Sequence, residues 1–154
     1  MNQDEQAIRG LVAAFVAGWN TADGNACAAP FAENADFTAV TGARARGRDL
    51  IARGHSEILS TVFAGTVLSA SVNDIVFLRS DVAAADVTFR IAPMAEKPWL
   101  PPYSSCGVVA TKERDVWSIA LFRNLVPHGR PVAGPLDQEV TNASRIAANA
   151  VSAR

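Results

Sequence analysis

The dominant hydrophobic period of this chain changes from helical to two near Gly65, and that change limits the fold more than any other feature. Upstream the apolar residues recur at helical spacing. Ile8, Leu11, Val12, Phe15, Val16 and Trp19 follow i, i+3, i+4, i+7, i+8, i+11, so six large groups share one stripe. Asn2, with Glu5 three residues on, suits the N-terminal cap of that helix. The run Thr21-Ala22-Asp23-Gly24-Asn25 breaks the pattern, and Asp23 can cap a short second helix ending near Pro30. Residues 35–41 read as a short strand before Gly42. A third helix is expected from Arg48 to Phe63, with Leu50, Ile51, Ile58, Leu59 and Val62 on its apolar side. Gly65 follows the last periodic residue, where a helix end often needs positive φ.

Downstream the period is two. Thr66 to Leu78, Val82 to Ile91, Ser105 to Lys112 and Val116 to Leu125 are rich in β-branched and aromatic residues. Arg79-Ser80-Asp81 and Glu113-Arg114-Asp115 separate neighbouring runs by hairpin lengths. Pro93, Pro98, Pro101 and Pro102 confine residues 93–103, with Trp99 and Tyr103, to a loop. Helices followed by an antiparallel meander define an α+β domain, not a parallel α/β one. Beyond it, Pro127, Gly129, Pro131, Gly134 and Pro135 form a stiff connector. Residues 136–152 then carry a thin helical stripe of Leu136, Val140, Ala143, Ala147 and Val151, which needs a partner surface. The expected organisation is one domain over 1–126 and a connector with a C-terminal helix over 127–154.

Composition removes several function classes. With a formal net charge of -1 in 154 residues, the chain lacks the basic excess of a phosphate-backbone binder, so no nucleic acid partner is expected. No apolar run approaches the ~20 residues of a membrane span, and the polar start MNQDEQ is unlike a signal peptide; no membrane association and a cytoplasmic location are the expectation. Cys27 and Cys106 stand far apart without a C-x-x-C spacing, which supports neither a disulfide framework nor a zinc site. His55 and His128 likewise provide no metal ligand set, and no Gly-x-Ser-x-Gly or phosphate-cradling glycine loop is present. The expectation is therefore no metal and no cofactor. Gly42 and Gly47 flank Arg44, Arg46 and Arg48, a basic run that reads as a solvated loop or an entrance charge.

Trp19-Asn20-Thr21-Ala22-Asp23, Phe31-Ala32-Glu33-Asn34-Ala35-Asp36-Phe37, Gly47-Arg48-Asp49-x-Ile51 and Trp117-Ser118-Ile119-Ala120 occur in the order and spacing of similar blocks in other proteins. Over about residues 5–126 the chain resembles ketosteroid-isomerase-like domains, a superfamily also named for nuclear transport factor two and for SnoaL-like polyketide cyclases. Gly54-His55, Phe63-Ala64-Gly65 and Phe122-x-Asn124 are similar to a small bacterial branch found in enediyne-antibiotic biosynthesis clusters. The resemblance implies a cone-shaped barrel: a curved, mostly antiparallel sheet wrapped around the N-terminal-half helices, enclosing one deep apolar pocket. It also implies a homodimer through the convex sheet face. If Phe122, Asn124 and Val126 point into the cone, alternation sends Trp117, Ile119 and Leu121 outward, a row suited to a subunit interface; cover by the chain's own tail helix is the alternative.

Ketosteroid isomerase uses an aspartate base and an oxyanion hole of a tyrosine and a protonated aspartic acid. The resemblance lays these on Ala39, Phe15 and Val109, and the supporting tyrosines on Phe31 and His55. Nearly every proton-handling group is replaced, so that mechanism is not available. His55 shares the inward face of the third helix with Ile51 and Leu59; it is either a satisfied core residue or a pocket-wall acid or base. Asn124 can orient a carbonyl or enol oxygen, or bond to nearby backbone. Phe15, Trp19, Phe31, Phe63, Val109 and Phe122 are expected to shape the pocket around them. Asp86, Thr88 and Arg90 share one strand face that is expected to meet solvent or a partner subunit, as are Asp36 and Thr38 on theirs, and His128 is expected in solvent. The functional expectation is a pocket for an apolar, polyketide-type metabolite, with proton transfer, isomerisation, cyclisation or dehydration if it is catalytic. The alternatives are a non-catalytic binding or sequestration module and a dimerisation platform.

Overall fold

The side chain of Asn2 accepts the Glu5 amide proton at 2.7 Å and opens α1 (Gln3–Asn20), which buries Ile8, Val12, Phe15, Gly18 and Trp19. Asp23 caps α2 (Gly24–Ala28) through the Ala26 amide at 3.0 Å. The computed structural model describes residues 2–93 and 103–127. The connector beyond Pro127, the helix over 136–152, the 127–154 division, His128 and Trp99 all lie outside them.

β1 (Phe31–Thr38) begins four residues earlier than the sequence suggests, because Pro30 C=O accepts the Ile119 amide at 2.9 Å and starts a strand pairing there. A short β2 (Arg44–Arg46) folds back on it. α3 (Arg48–Ser60) buries Ile51, Ala52, His55 and Leu59 and stops three residues short of Phe63, with Gly65 at φ +74 in the turn that follows. The meander is β3 (Val67–Arg79), β4 (Val82–Ala92), β5 (Tyr103–Glu113) and β6 (Val116–Leu125). Tyr103, assigned to the loop from sequence, is the first residue of β5.

These strands make one curved, mixed sheet in the order β2-β1-β6-β5-β4-β3. Among the described residues only β1 and β6 run parallel, and β2 and β3 are the edges, so the sheet is open rather than a closed barrel. The concave face carries the core. On β4 the buried set is Ala83, Ala85, Val87 and Phe89, a clean period of two that leaves Asp86 exposed.

Two facing expectations fail, each for a backbone reason. The ladder between β5 and β6 pairs Val109 with Leu121 but Ala110 with Ile119, so Ala120 is an extra residue in a β-bulge. The bulge resets the alternation. Trp117 (6% exposed) and Ile119 (0%) therefore face inward together with Phe122, and of the expected outward row only Leu121 stays outside. Val109 is the second failure. The buried residues of β5 are Ser104, Cys106, Val108 and Ala110, which turns Val109 to the convex side.

Polar staples hold helices to sheet. The Trp117 indole N–H donates to Asp4 at 2.8 Å and Lys112 reaches the same carboxylate at 3.1 Å, which joins the start of α1 to β5 and β6. These bonds hold the Asp4 carboxyl below its usual range, Trp117 contributing most. At the other end of α1, Asn20 donates to Leu68 C=O at 2.9 Å and accepts the Leu68 amide at 2.7 Å.

Candidate functional site

The inner faces of α1, α3 and the sheet leave a cavity of about 670 Å³ between them. This lies in the range of small-molecule sites. Phe15 and Trp19 come from α1, His55 from α3, Phe89 from β4, Ser104 from β5, and Phe122 and Asn124 from β6. The loop after α3 adds Phe63. Trp19 Nε1 donates to Thr66 Oγ1 at 3.2 Å, and Thr66 Oγ1 donates to Phe63 C=O at 2.7 Å. That chain of bonds fixes the loop against α1.

Aromatic rings form the floor. Phe37 stacks on Phe122 with centroids 4.8 Å apart, and Phe15 meets Phe122 at 5.4 Å. Edge-to-face and offset contacts of this kind lock ring orientations. Phe31 is fully buried beneath Phe15 and Phe122 and supports the floor from behind, but it does not line the cavity. Val109 is absent from the wall because it faces out. Of the eight residues singled out from sequence, His55, Asn124, Phe15, Trp19, Phe63 and Phe122 are brought together here.

His55 is buried, and its ring stands edge-on to Phe15 (5.3 Å), Phe37 (5.1 Å) and Trp19 (6.2 Å). Nδ1 lies 2.8 Å from Ile51 C=O. A carbonyl oxygen only accepts, so Nδ1 carries the proton and Nε2 keeps its lone pair. Nε2 has no hydrogen-bond partner among the described residues. Burial pushes the imidazole below its ordinary value, against a smaller upward pull from the Ile51 carbonyl, which keeps the ring neutral near pH 7.

Asn124 Oδ1 is buried with no donor among the described residues. An acceptor left this way costs on the order of 1–3 kcal/mol. Ser104, also buried, adds a hydroxyl to the same wall. The two thiols lie elsewhere: Cys27 and Cys106 are free and buried, and burial pushes Cys27 up to about 12 and Cys106 higher still, so neither is a thiolate near pH 7. No three of His, Cys, Asp and Glu gather among the described residues where they could hold a metal ion.

The mouth differs from the interior. Leu50 and Val62, each 47% exposed, lie at the opening beside Arg44, Arg53, Glu57 and Thr41. Apolar side chains of α3 and of the turn after it that look misplaced on a surface are thus the rim of the cavity. On the outer side of β1, Arg46 and Arg44 each reach Asp36 at 2.8 Å and Arg123 at 3.1 Å. The Arg46 bond does most to lower the Asp36 carboxyl, to about 2. Phe37, Leu68, Phe89 and Ser104 are lining residues that the sequence reading did not single out. The inward alternation of β4 was the available signal for Phe89.

An open α+β cone with an aromatic-floored cavity defines a class, and comparison with known structures gives the same one. A domain of unknown function with a cystatin-like fold from Nostoc punctiforme superposes with a TM-score of 0.74 at 27% identity, covering 99% of this chain and 96% of that one. A nuclear transport factor two-like protein with a cystatin-like fold from Novosphingobium aromaticivorans gives 0.69 at 18% identity, over 83% of this chain and 84% of its own. A putative scytalone dehydratase from the same organism gives 0.61 at 20% identity, over 82% and 89%. The fold these proteins share with this chain is the cystatin-like fold. No protein-family model matches the sequence, and no curated protein matches it. No helix among the described residues is long and apolar enough to cross a membrane.

Proposed function

We propose that this protein binds an apolar small molecule bearing a hydroxyl or an enolisable carbonyl and moves a proton on it without a cofactor. The observation that carries this reading is the pairing of a neutral, buried His55, its Nε2 unoccupied, with the polar groups of Asn124 and Ser104 on an otherwise apolar wall. In the reaction, Nε2 takes a proton from the carbon beside the ligand carbonyl and the C–H electron pair moves into an enolate. The Asn124 amide N–H and the Ser104 hydroxyl can donate to that oxygen. Return of the proton to another carbon completes an isomerisation. Return of it to a departing β-hydroxyl releases water. The likeness to isomerase-like and dehydratase-like neighbours supports this chemistry, and the similarity to an enediyne-cluster branch makes a polyketide-type metabolite the natural substrate class.

One observation favours binding without turnover. Ala39 and Phe15 stand where the isomerase has its base and its tyrosine, so His55 is left to act with few helpers. The open cavity weighs against a pure dimerisation platform filled by its own side chains. A homodimer through the convex face is part of the proposal, with Leu121 and Val109 rather than Trp117 and Ile119 contributing to it. Exchange of the α-protons of β-tetralone in deuterated buffer, followed by NMR, tests the catalytic reading. The wild type is expected to accelerate exchange and His55→Leu to abolish the acceleration while still binding the ketone. Equal exchange in both would refute the role of His55.

A further inference from the structure

Among the described residues the cavity mouth carries three charged side chains, Arg44, Arg53 and Glu57, and they are not equivalent. Arg44 is committed to Asp36 at 2.8 Å. Arg53 and Glu57 both lie on the exposed side of α3, four residues apart, yet no ion pair within 4.0 Å joins them. The order is the unfavourable one, since an acidic residue stabilises a helix pair when it precedes the basic residue. The Arg53 guanidinium therefore has no hydrogen bond or ion pair among the described residues, and its five N–H donors stand at the entrance of a cavity whose interior is apolar.

We infer that the ligand is an amphiphile whose carboxylate is held at the mouth by Arg53, with its apolar body inside against Phe15, Phe37 and Phe122. This rests on the reading of the cavity as a small-molecule site and narrows it to a carboxylate-bearing class. Geometry and chemistry agree on the anion. A planar guanidinium matches a carboxylate through two parallel N–H···O bonds. Seating the charge at the rim leaves it hydrated on one side, so no buried ion has to be stripped of water. Glu57, the one carboxylate lining the cavity among the described residues, opposes such a ligand and sets how tightly it is held.

A matched pair of probes tests this: naphthylacetate and its neutral primary amide, titrated calorimetrically into the full chain. The wild type is expected to bind the acid about tenfold more tightly than the amide, as a charge-assisted bidentate contact does. The gap should narrow between about 50 and about 500 mM salt, because the contact is exposed. Arg53→Gln is expected to remove the preference, so that acid and amide bind alike. Glu57→Gln is expected to widen it. If the amide binds but the acid is no tighter, or if Arg53→Gln keeps the preference, the assignment of Arg53 is overturned while the cavity reading stands. If neither probe binds the wild type, the cavity reading itself falls and this inference falls with it.

Discussion

Two glycines of α1 make a matched pair whose substitution by alanine should act in opposite directions. Gly10 is exposed, and a Cβ there would meet nothing within 4 Å. Alanine in a helix interior is favoured over glycine by about 1 kcal/mol, so Gly10→Ala should gain about that much. Gly18, two turns further along the same helix, is buried against α2. A Cβ there would overlap the Cys27 backbone nitrogen and stand 2.6 Å from the Ala26 carbonyl carbon and 2.8 Å from Cys27 Cα. All three are main-chain atoms, which cannot rotate away. The propensity gain of about 1 kcal/mol is then set against overpacking of about 3 kcal/mol or more, giving a net loss of at least roughly 2 kcal/mol. In a chain of this size each kcal/mol moves Tm by roughly 2–4 °C. Gly10→Ala should therefore raise Tm by about 2–4 °C and Gly18→Ala lower it by roughly 4–8 °C or more. Circular dichroism melts and urea titrations at fixed pH measure both. The site follows the same contact: separating α1 from α2 displaces Trp19, so Gly18→Ala should also weaken probe binding, whereas Gly10→Ala should not. A Gly18→Ala protein as stable as the wild type would refute the reading of the α1–α2 approach as backbone against backbone.

Other outcomes follow from the same geometry. Because burial lowers the His55 pKa, the unfolded chain binds that proton first as pH falls below 6.5; stability tied to His55 is complete above 6.5 and declines below it, and the urea midpoint of wild type should fall more than that of His55→Gln between neutral and mildly acidic pH. Asn124→Leu removes an unpartnered buried acceptor for a residue of similar volume, so Tm should rise while binding of hydroxylated or carbonyl ligands weakens; a lower Tm would show that the amide is satisfied in solution. Ile119→Ala should cost about 2–5 kcal/mol and Leu121→Ala under about 1, since only Ile119 fills the core; equal losses would contradict the bulge at Ala120. Asp4→Ala should lower Tm and shift Trp117 emission, as the indole N–H loses its acceptor.

The sequence was readable wherever side-chain period and backbone period coincide. The stripe from Ile8 to Trp19 and the alternation from Ala83 to Phe89 are such places, and both bury as their spacing implies. It was unreadable where facing depends on the main chain alone. Ile119-Ala120-Leu121 is apolar throughout, so nothing in residue type marks Ala120 as surplus. The resemblance lays the protonated acid on Val109, and because Val108-Val109 repeats one residue, residue type does not show which of the two faces inward. The rim was hidden for another reason: Leu50 and Val62 continue the apolar spacing of α3 into the turn after it, and only the tertiary arrangement distinguishes a core from the wall of a void. The candidate site was legible as far as His55, Asn124, Phe15, Trp19 and Phe122, since each sits at a regular inward position of its element.

The bulge at Ala120 has a bearing on capacity. A surplus residue bends a strand and increases its local twist, and β6 is an inner strand of the sheet, paired on both sides. Ala120 touches nothing in the cavity, yet the bend it introduces lies between the core residues Trp117 and Ile119 and the wall residues Phe122 and Asn124. Deleting it would leave all four facing as they do now and would only straighten the ladder. The size of guest that this cone accepts is thus adjustable by main-chain length at one position, with every contacting side chain unchanged. Related chains could diverge in what they hold without a single difference along the wall.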